Sequence, residues 1–141
     1  MKKKKILIVD DEPNILFVIG QAFQDAYEVH TAPGGEKALE VMRVERPDFV
    51  FLDIKMPGLS GLEVLARIKA TGAAPVVWML TGNDELEMAI ETLRQGAAGY
   101  LTKPFDLAQI RLIVSAAFDV QEKKDSHDSS GEKPWRIKKD K

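Results

Sequence analysis

Asp53 ends the unbroken apolar run Phe49-Val50-Phe51-Leu52, and Pro57-Gly58 turns the chain soon after. Three other apolar runs end the same way: Lys5–Asp10 in the pair Asp10-Asp11, Val76–Thr81 in a hydroxyl, and Gly99–Thr102 just before Lys103. These groups share a chemistry only if they meet. Carboxylates about 4 Å apart repel by roughly 4 kcal/mol per pair at an effective dielectric near 20. Each then raises the other's pKa unless a cation intervenes. The chain has no cysteine and only two histidines, His30 and His127, neither beside the acids. An all-oxygen site selects a hard ion, and Mg2+ fits best, with two carboxylates, a carbonyl and waters. Lys103 adds a second positive charge and Thr81 a hydroxyl donor. Such a set can position and neutralise a phosphoryl group in transfer, with Asp53 as the natural acceptor, forming an aspartyl phosphate.

The four runs must therefore be strands whose C-terminal ends share one edge. Apolar runs with no polar alternation suit strands buried on both faces of a parallel sheet. Between them the period changes to that of helices. Pro13 fits a first helical turn, and Ile15, Val18, Ile19 and Ala22 recur at helical spacing as one buried face. Tyr27–Ala32 reads as a second strand, Pro33-Gly34-Gly35 as a turn, and about Glu36 to Glu45 as a second helix, with Ala38, Leu39 and Met42 inward. Ser60 and Glu63 form the capping box of a third helix, with Leu62, Leu65, Ala66 and Ile68 inward. Asp84 and Glu87 repeat that pattern ahead of a fourth, whose stripe is Leu86, Ala89, Ile90 and Leu93, with Gly96 as its C-cap. Asp106 caps a fifth helix carrying Ile110, Ile113, Val114 and Ala117. Five strands alternating with five helices require an α/β fold, a parallel sheet with helices on both faces and right-handed crossovers. In such sheets ligands bind at the C-terminal edge of the strands.

With 141 residues the chain is long enough for one domain with a sizeable core. Its net charge of −2 gives no reason for direct nucleic-acid or membrane-surface binding. Behind the Lys2–Lys5 cluster the apolar stretch Ile6–Val9 is too short for a secretory signal or a membrane span, so the chain reads as cytoplasmic. From Gln121 onward the composition turns polar, with seven basic and five acidic residues and little to bury. The expected organisation is a domain over residues 1–120 and a flexible polar linker or tail over 121–141.

Taken together, Val9-Asp10-Asp11, Leu52-Asp53-Ile54-Lys55-Met56-Pro57-Gly58, Leu80-Thr81-Gly82 and Tyr100-Leu101-Thr102-Lys103-Pro104-Phe105 resemble the receiver domain of two-component response regulators, the CheY-like family. The resemblance spans about residues 4–120, with the four motifs in order on the expected strand ends. It implies a (βα)5 doubly wound, flavodoxin-like fold with strand order 2-1-3-4-5. It also implies that Asp53 is phosphorylated from a sensor histidine kinase or phosphotransfer protein. By the same resemblance Asp11, Asp53 and the backbone carbonyl of Lys55 bind Mg2+, and Asp10 assists. Lys103 then pairs with a phosphoryl oxygen, and Thr81 moves to bond another. Tyr100 is the aromatic that turns inward with Thr81 and reshapes the surface of the fourth helix, fifth strand and fifth helix. That surface would serve a downstream effector or output domain, or a phosphorylation-dependent homodimer. Lys55 and Asn83 should line the mouth of the site and tune dephosphorylation, and the Lys103–Pro104 bond should be cis.

Each of these residues also has an ordinary reading. Acids favour helix N-termini, which explains one of Asp10 and Asp11 but not both together with Asp53. A lone lysine is usually solvated; only its place before Pro104 singles out Lys103. Tyr100 is as well explained by packing as by switching. Trp78 reads as core, His30 as structural, and Lys133-Pro134-Trp135-Arg136 as linker. Two rival functions compete with a signalling module that is not itself an enzyme. An aspartyl-nucleophile phosphatase of the haloacid dehalogenase type would need D-x-D on the first strand, whereas the pair here is adjacent and Lys55 fills the second position after Asp53. A phosphorylation-independent scaffold would not need the complete acid, hydroxyl and lysine set.

Overall fold

The computed structural model describes residues 3–73 and 75–127. Five parallel strands, β1 (Lys5–Val9), β2 (Glu28–Ala32), β3 (Phe49–Asp53), β4 (Val76–Thr81) and β5 (Gly99–Thr102), lie in the order 2-1-3-4-5. They alternate with helices α1 (Pro13–Phe23), α2 (Gly35–Glu45), α3 (Gly61–Ala70), α4 (Leu86–Arg94) and α5 (Leu107–His127). The strand order 2-1-3-4-5 makes β1 and β3 neighbours, with the crossover direction reversing between them.

All five residues of β3 are buried, and their period of two sends Val50 and Leu52 to one face and Phe49 and Phe51 to the other. On the first face Leu7, Val9, Val50, Leu52, Val77 and Met79 join α2, α3 and α4 through Ala38, Met42, Val64, Leu65, Ile68 and Ala89. On the second face Phe51 stacks on Phe23 of α1 at 6.1 Å, and Phe49 tilts against Phe51 at 4.8 Å. Each such side chain removed from water contributes roughly 1.5–3 kcal/mol. Trp78, register partner of Phe51, is half-buried, and its ring covers Gly99, where a Cβ would come within 2.6 Å of it.

Local signals act as their chemistry dictates. Pro13 opens α1. Ser60 Oγ accepts the Glu63 N–H at 3.2 Å while Glu63 Oε1 accepts the Ser60 N–H at 3.2 Å, a reciprocal cap on α3. Gly96 closes α4 with φ 109°, its N–H bonded to Leu93 O while Ala97 N–H reaches Thr92 O.

Four expectations are corrected. In α3, Ala66 is exposed while Val64, Leu65 and Ile68 are buried. The α4 stripe does not face inward: Leu86, Ile90 and Leu93 are exposed, and Ala89 and Thr92 are the buried pair. The inward side instead runs through Ala89 and Thr92, and the Thr92 hydroxyl donates to Ala89 O at 2.5 Å, so a threonine can occupy the core side without an unsatisfied group. In α1, Val18 is exposed while Ile19 and Phe23 are buried. The α4 entry is not capped by Asp84 and Glu87; a 3-10 turn at Asn83–Glu85 precedes α4, and Glu85 Oε1 accepts the Gly82 N–H at 3.0 Å.

The chain divides into two compact units, the second beginning at Ala108. This second unit carries most of α5, whose buried positions Ile110, Val114 and Phe118 recur four apart. Because α5 continues to His127, the boundary expected at 120 falls inside a helix; Gln121, Glu122, Lys123 and Lys124 are all good helix formers. Residues 128–141 of the expected tail, Lys133-Pro134-Trp135-Arg136 among them, lie outside the described residues. Among the described residues, no helix is long and apolar enough to cross a membrane.

Candidate functional site

At the C-terminal edge of the sheet the expected residues come together. Ligand oxygens of Asp10, Asp11 and Asp53 all lie within 4.8 Å of one another. Asp10 is fully buried and Asp53 is 3% exposed, whereas Asp11 is open to solvent. The side chain of Lys103 crosses to them, its Nζ standing 3.0 Å from Asp10 Oδ2, 3.5 Å from Asp53 Oδ2 and 3.1 Å from Glu12 Oε1. The Lys103–Pro104 peptide bond is cis, and the Lys103 N–H donates to Thr81 O at 2.8 Å.

The electrostatics follow from burial. Asp10 Oδ1 accepts the Glu12 N–H at 2.9 Å, but Oδ2 has no hydrogen bond, only the lysine charge in front of it. Burial raises the Asp10 pKa above its ordinary value, and the Glu12 N–H and Lys103 only partly offset this. Burial likewise pushes Asp53 up to about 7; the Asp10 charge adds to the rise, and Lys103 opposes it. For Lys103, burial favours loss of the proton, but Asp10, Glu12 and Asp53 outweigh it and hold the ammonium above the usual lysine range. The result is an acidic crevice short of positive charge.

That shortage is what a hard divalent cation would relieve. An orphaned buried carboxylate oxygen with two more carboxylates within reach, and no nitrogen or sulfur donor among them, is a donor set that suits Mg2+.

Thr81 is buried at the end of β4, but its hydroxyl proton is directed to Gly82 O at 3.0 Å, with Glu85 Oε1 at 3.4 Å as the alternative acceptor. Tyr100 is half-buried on β5, opposite Met79, and packs against the core of the first sheet face. Lys55 is largely exposed, with its ammonium 3.8 Å from Glu85 Oε2. Asn83 opens the 3-10 turn. Two acids at this edge were not anticipated from sequence: Glu12, which pairs with Lys103, and Glu85, which gathers Gly82, Thr81 and Lys55. Glu12 could have been found from its adjacency to Asp10-Asp11; Glu85 had no such signal.

His30, which reads as structural in the sequence, has two carboxylates beside it, Glu28 Oε2 at 2.7 Å and Glu45 Oε1 at 3.6 Å. Lys5 Nζ stands 3.2 Å from Glu45 and 3.9 Å from Glu28, so a lysine already supplies the cation and the cluster reads as structural. The side chain of His127 lies outside those described.

Residues 6–115 match the family model of the response regulator receiver domain. Sporulation initiation phosphotransferase F of Bacillus subtilis (strain 168) is 39% identical over 112 residues, covering 79% of this chain and 90% of that protein. Regulatory protein AtoC of Escherichia coli (strain K12) is 39% identical over 121 residues, which are 85% of this chain but only 26% of AtoC. The chain spans about half the length of the alkaline phosphatase synthesis transcriptional regulatory protein PhoP of Bacillus subtilis (strain 168), at 37% identity over 80% of this chain. Among solved structures, the CheY-like receiver domain protein of Methanospirillum hungatei JF-1 superimposes with a TM-score of 0.82 at 31% identity, over 87% of this chain and 99% of that one. The receiver domain of NtrX from Brucella abortus gives 0.77 at 33% identity, over 82% of this chain and 98% of that one.

Proposed function

This chain belongs to the response regulator receiver domain family of two-component signalling, and on that premise we propose that Asp53 is the residue that accepts its phosphoryl group. The observation that carries the assignment is the position of Asp53: a nearly buried carboxylate at the end of the central strand, with Lys103 Nζ at 3.5 Å and Asp10 and Asp11 beside it.

Asp53 attacks the phosphorus of a donor as a carboxylate. One Asp53 oxygen forms the new P–O bond, and the bond from phosphorus to the donor breaks, its electron pair leaving with the donor. With a phosphohistidine donor the leaving group is an imidazole; with an acyl phosphate it is a carboxylate. Lys103 neutralises charge on the transferring oxygens, and Thr81 donates to one of them after leaving Gly82 O. Asp11, Asp53 and the Lys55 carbonyl would hold Mg2+, with Asp10 supporting. When bound, that ion offsets the anionic charge shared by the acids and the phosphoryl oxygens.

The donor in this reading is a sensor histidine kinase or a phosphotransfer protein in the cytoplasm. Movement of Thr81 and Tyr100 carries the switch to α4 and β5, where an effector, an output domain or a second copy reads it. The apolar side chains that α4 exposes support that use. The phosphatase alternative is not favoured, because Asp10 and Asp11 are adjacent and Lys55 stands where that class needs a general acid. A phosphorylation-independent scaffold would leave three crowded carboxylates and Lys103 without a role.

The test is incubation with Mg2+ and a small acyl phosphate, followed by intact-mass measurement. An adduct of ~80 Da (one phosphoryl group) on the parent, absent from Asp53→Ala, supports the assignment. No adduct in excess donor would favour the scaffold. Sustained turnover of external phosphate esters would favour the phosphatase.

A further inference from the structure

Glu85 is a carboxylate on a short connecting turn, yet its side chain is only 10% exposed. Oε1 accepts the Gly82 N–H at 3.0 Å and lies 3.4 Å from Thr81 Oγ1, while Oε2 lies 3.8 Å from Lys55 Nζ. Capping the turn explains only the first of these. The other two reach a hydroxyl on the last residue of β4 and an ammonium in the loop after β3. A carboxylate withdrawn from water this far is retained only when such partners compensate it.

We propose that Glu85 is a positioning residue that holds the resting arrangement of the site, keeping the Thr81 hydroxyl and the Lys55 ammonium engaged on the α4 side until Asp53 is phosphorylated. The inference rests on Asp53 being the phosphoryl acceptor. A phosphoryl group brings roughly −1.5 to −2 charge and three strong acceptor oxygens, and it competes with Glu85 for the same proton and the same cation. Thr81 and Lys55 cannot serve both at once. The balance between resting and switched states then depends on how differently these groups bind the two competitors. Glu85 is the weight on the resting side.

The variants Glu85→Gln and Glu85→Asp separate position from charge. Gln keeps an oxygen for the Gly82 N–H and removes the ion pair with Lys55. Asp keeps the charge but is one methylene too short to reach all three partners. Both should take up phosphoryl from an acyl phosphate faster than the parent. Both should also bind a beryllium fluoride mimic of the phosphoryl group more tightly. Each effect should be roughly two- to fivefold, the span of a partly exposed ion pair. In a Lys55→Ala background the Glu85→Gln effect should shrink. Thermal unfolding of each variant reports whether the α4 entry is intact. Uptake and mimic affinity equal to the parent in both variants would overturn the proposal. So would an acceleration by Gln alone that persists in full without Lys55, because that is a plain charge effect. If the parent itself forms no adduct dependent on Asp53, the acceptor assignment has failed and this inference falls with it. A normal Asp53 adduct with no response to Glu85 removes this inference alone.

Discussion

Lys103 Nζ lies 3.0 Å from Asp10 Oδ2, although Lys103 follows β5 and Asp10 follows β1, with β3 and β4 between them in the sheet. The long lysine stem spans that width and sets one positive charge against two buried carboxylates.

Replacing Lys103 by Ala should therefore cost stability and chemistry together. Removal of one partner from a buried ionic cluster leaves uncompensated charge. With 22% of the lysine side chain exposed, the expected loss is about 1–3 kcal/mol at pH 8. At pH 5 the loss should be smaller, because Asp53, pushed up to about 7, then carries a proton. Phosphoryl uptake should fall by roughly tenfold or more, as expected on loss of an electrostatic contact to the transferring group. Thermal unfolding at both pH values checks the first part. An equal loss at pH 5 and pH 8 would show that the lysine acts by packing and not by charge.

Asp53→Asn carries the opposite sign. Folding raises the Asp53 pKa from 3.8 to about 7, so between those values the folded state keeps a proton that the unfolded chain releases. The stability this group contributes is full below pH 4 and is lost as pH rises through 7. The Asn variant, which never ionises, should then be more stable than the parent at pH 8 by about 1–3 kcal/mol, and the gain should vanish near pH 4. Unfolding midpoints across that range, measured without divalent cations, test it. A variant less stable than the parent at pH 8 would refute the linkage.

How much of this was legible in the sequence depends on what fixes each residue. Asp53, Thr81 and Lys103 could be read because each ends or follows an apolar run, and in a parallel sheet run ends share an edge. Glu85 could not, since its role depends on a 3-10 turn that folds it back on Gly82. The rotation of α4 was hidden for a related reason. Periodicity locates an apolar stripe but does not say which edge of it meets the sheet, and a threonine bonded to Ala89 O can stand in for a leucine. In α1, periodicity likewise placed Ile19 correctly and Val18 not.

Gly61 opens α3 against the backbone that carries Asp53. Its N–H donates to Ile54 O at 2.7 Å, and a Cβ there would collide with Asp53 O and lie 2.8 Å from Ile54 Cα. Backbone cannot yield as a side-chain tip can. Gly61→Ala should destabilise the chain by about 2 kcal/mol or more and slow phosphoryl uptake by displacing Asp53. Gly34→Ala is the matched control, with extended backbone at φ −165° and nothing within 4 Å of its Cβ. It should change stability by no more than about 0.5 kcal/mol. Denaturant unfolding of the two variants side by side is sufficient, and similar midpoints would remove the close-approach argument.

The acid cluster should respond to divalent cation in a way its protonation predicts. Mg2+ that binds only the folded chain raises stability by RT ln(1 + [Mg2+]/Kd), about 1.4 kcal/mol at ten times Kd. Since Asp53 titrates at about 7, protons and Mg2+ compete for it, and affinity should fall by up to about tenfold for each pH unit below that point. Asp11→Ala, at the exposed acid, removes one ligand while leaving the Asp10–Lys103 contact in place, so it should abolish the saturable part of the gain without unfolding the protein. Calorimetric titration at pH 6, 7 and 8 gives both readouts. A stabilisation by Mg2+ that survives in Asp11→Ala, or that is flat across this pH range, would place the ion elsewhere on the surface and leave the orphaned Asp10 oxygen with Lys103 as its only compensation.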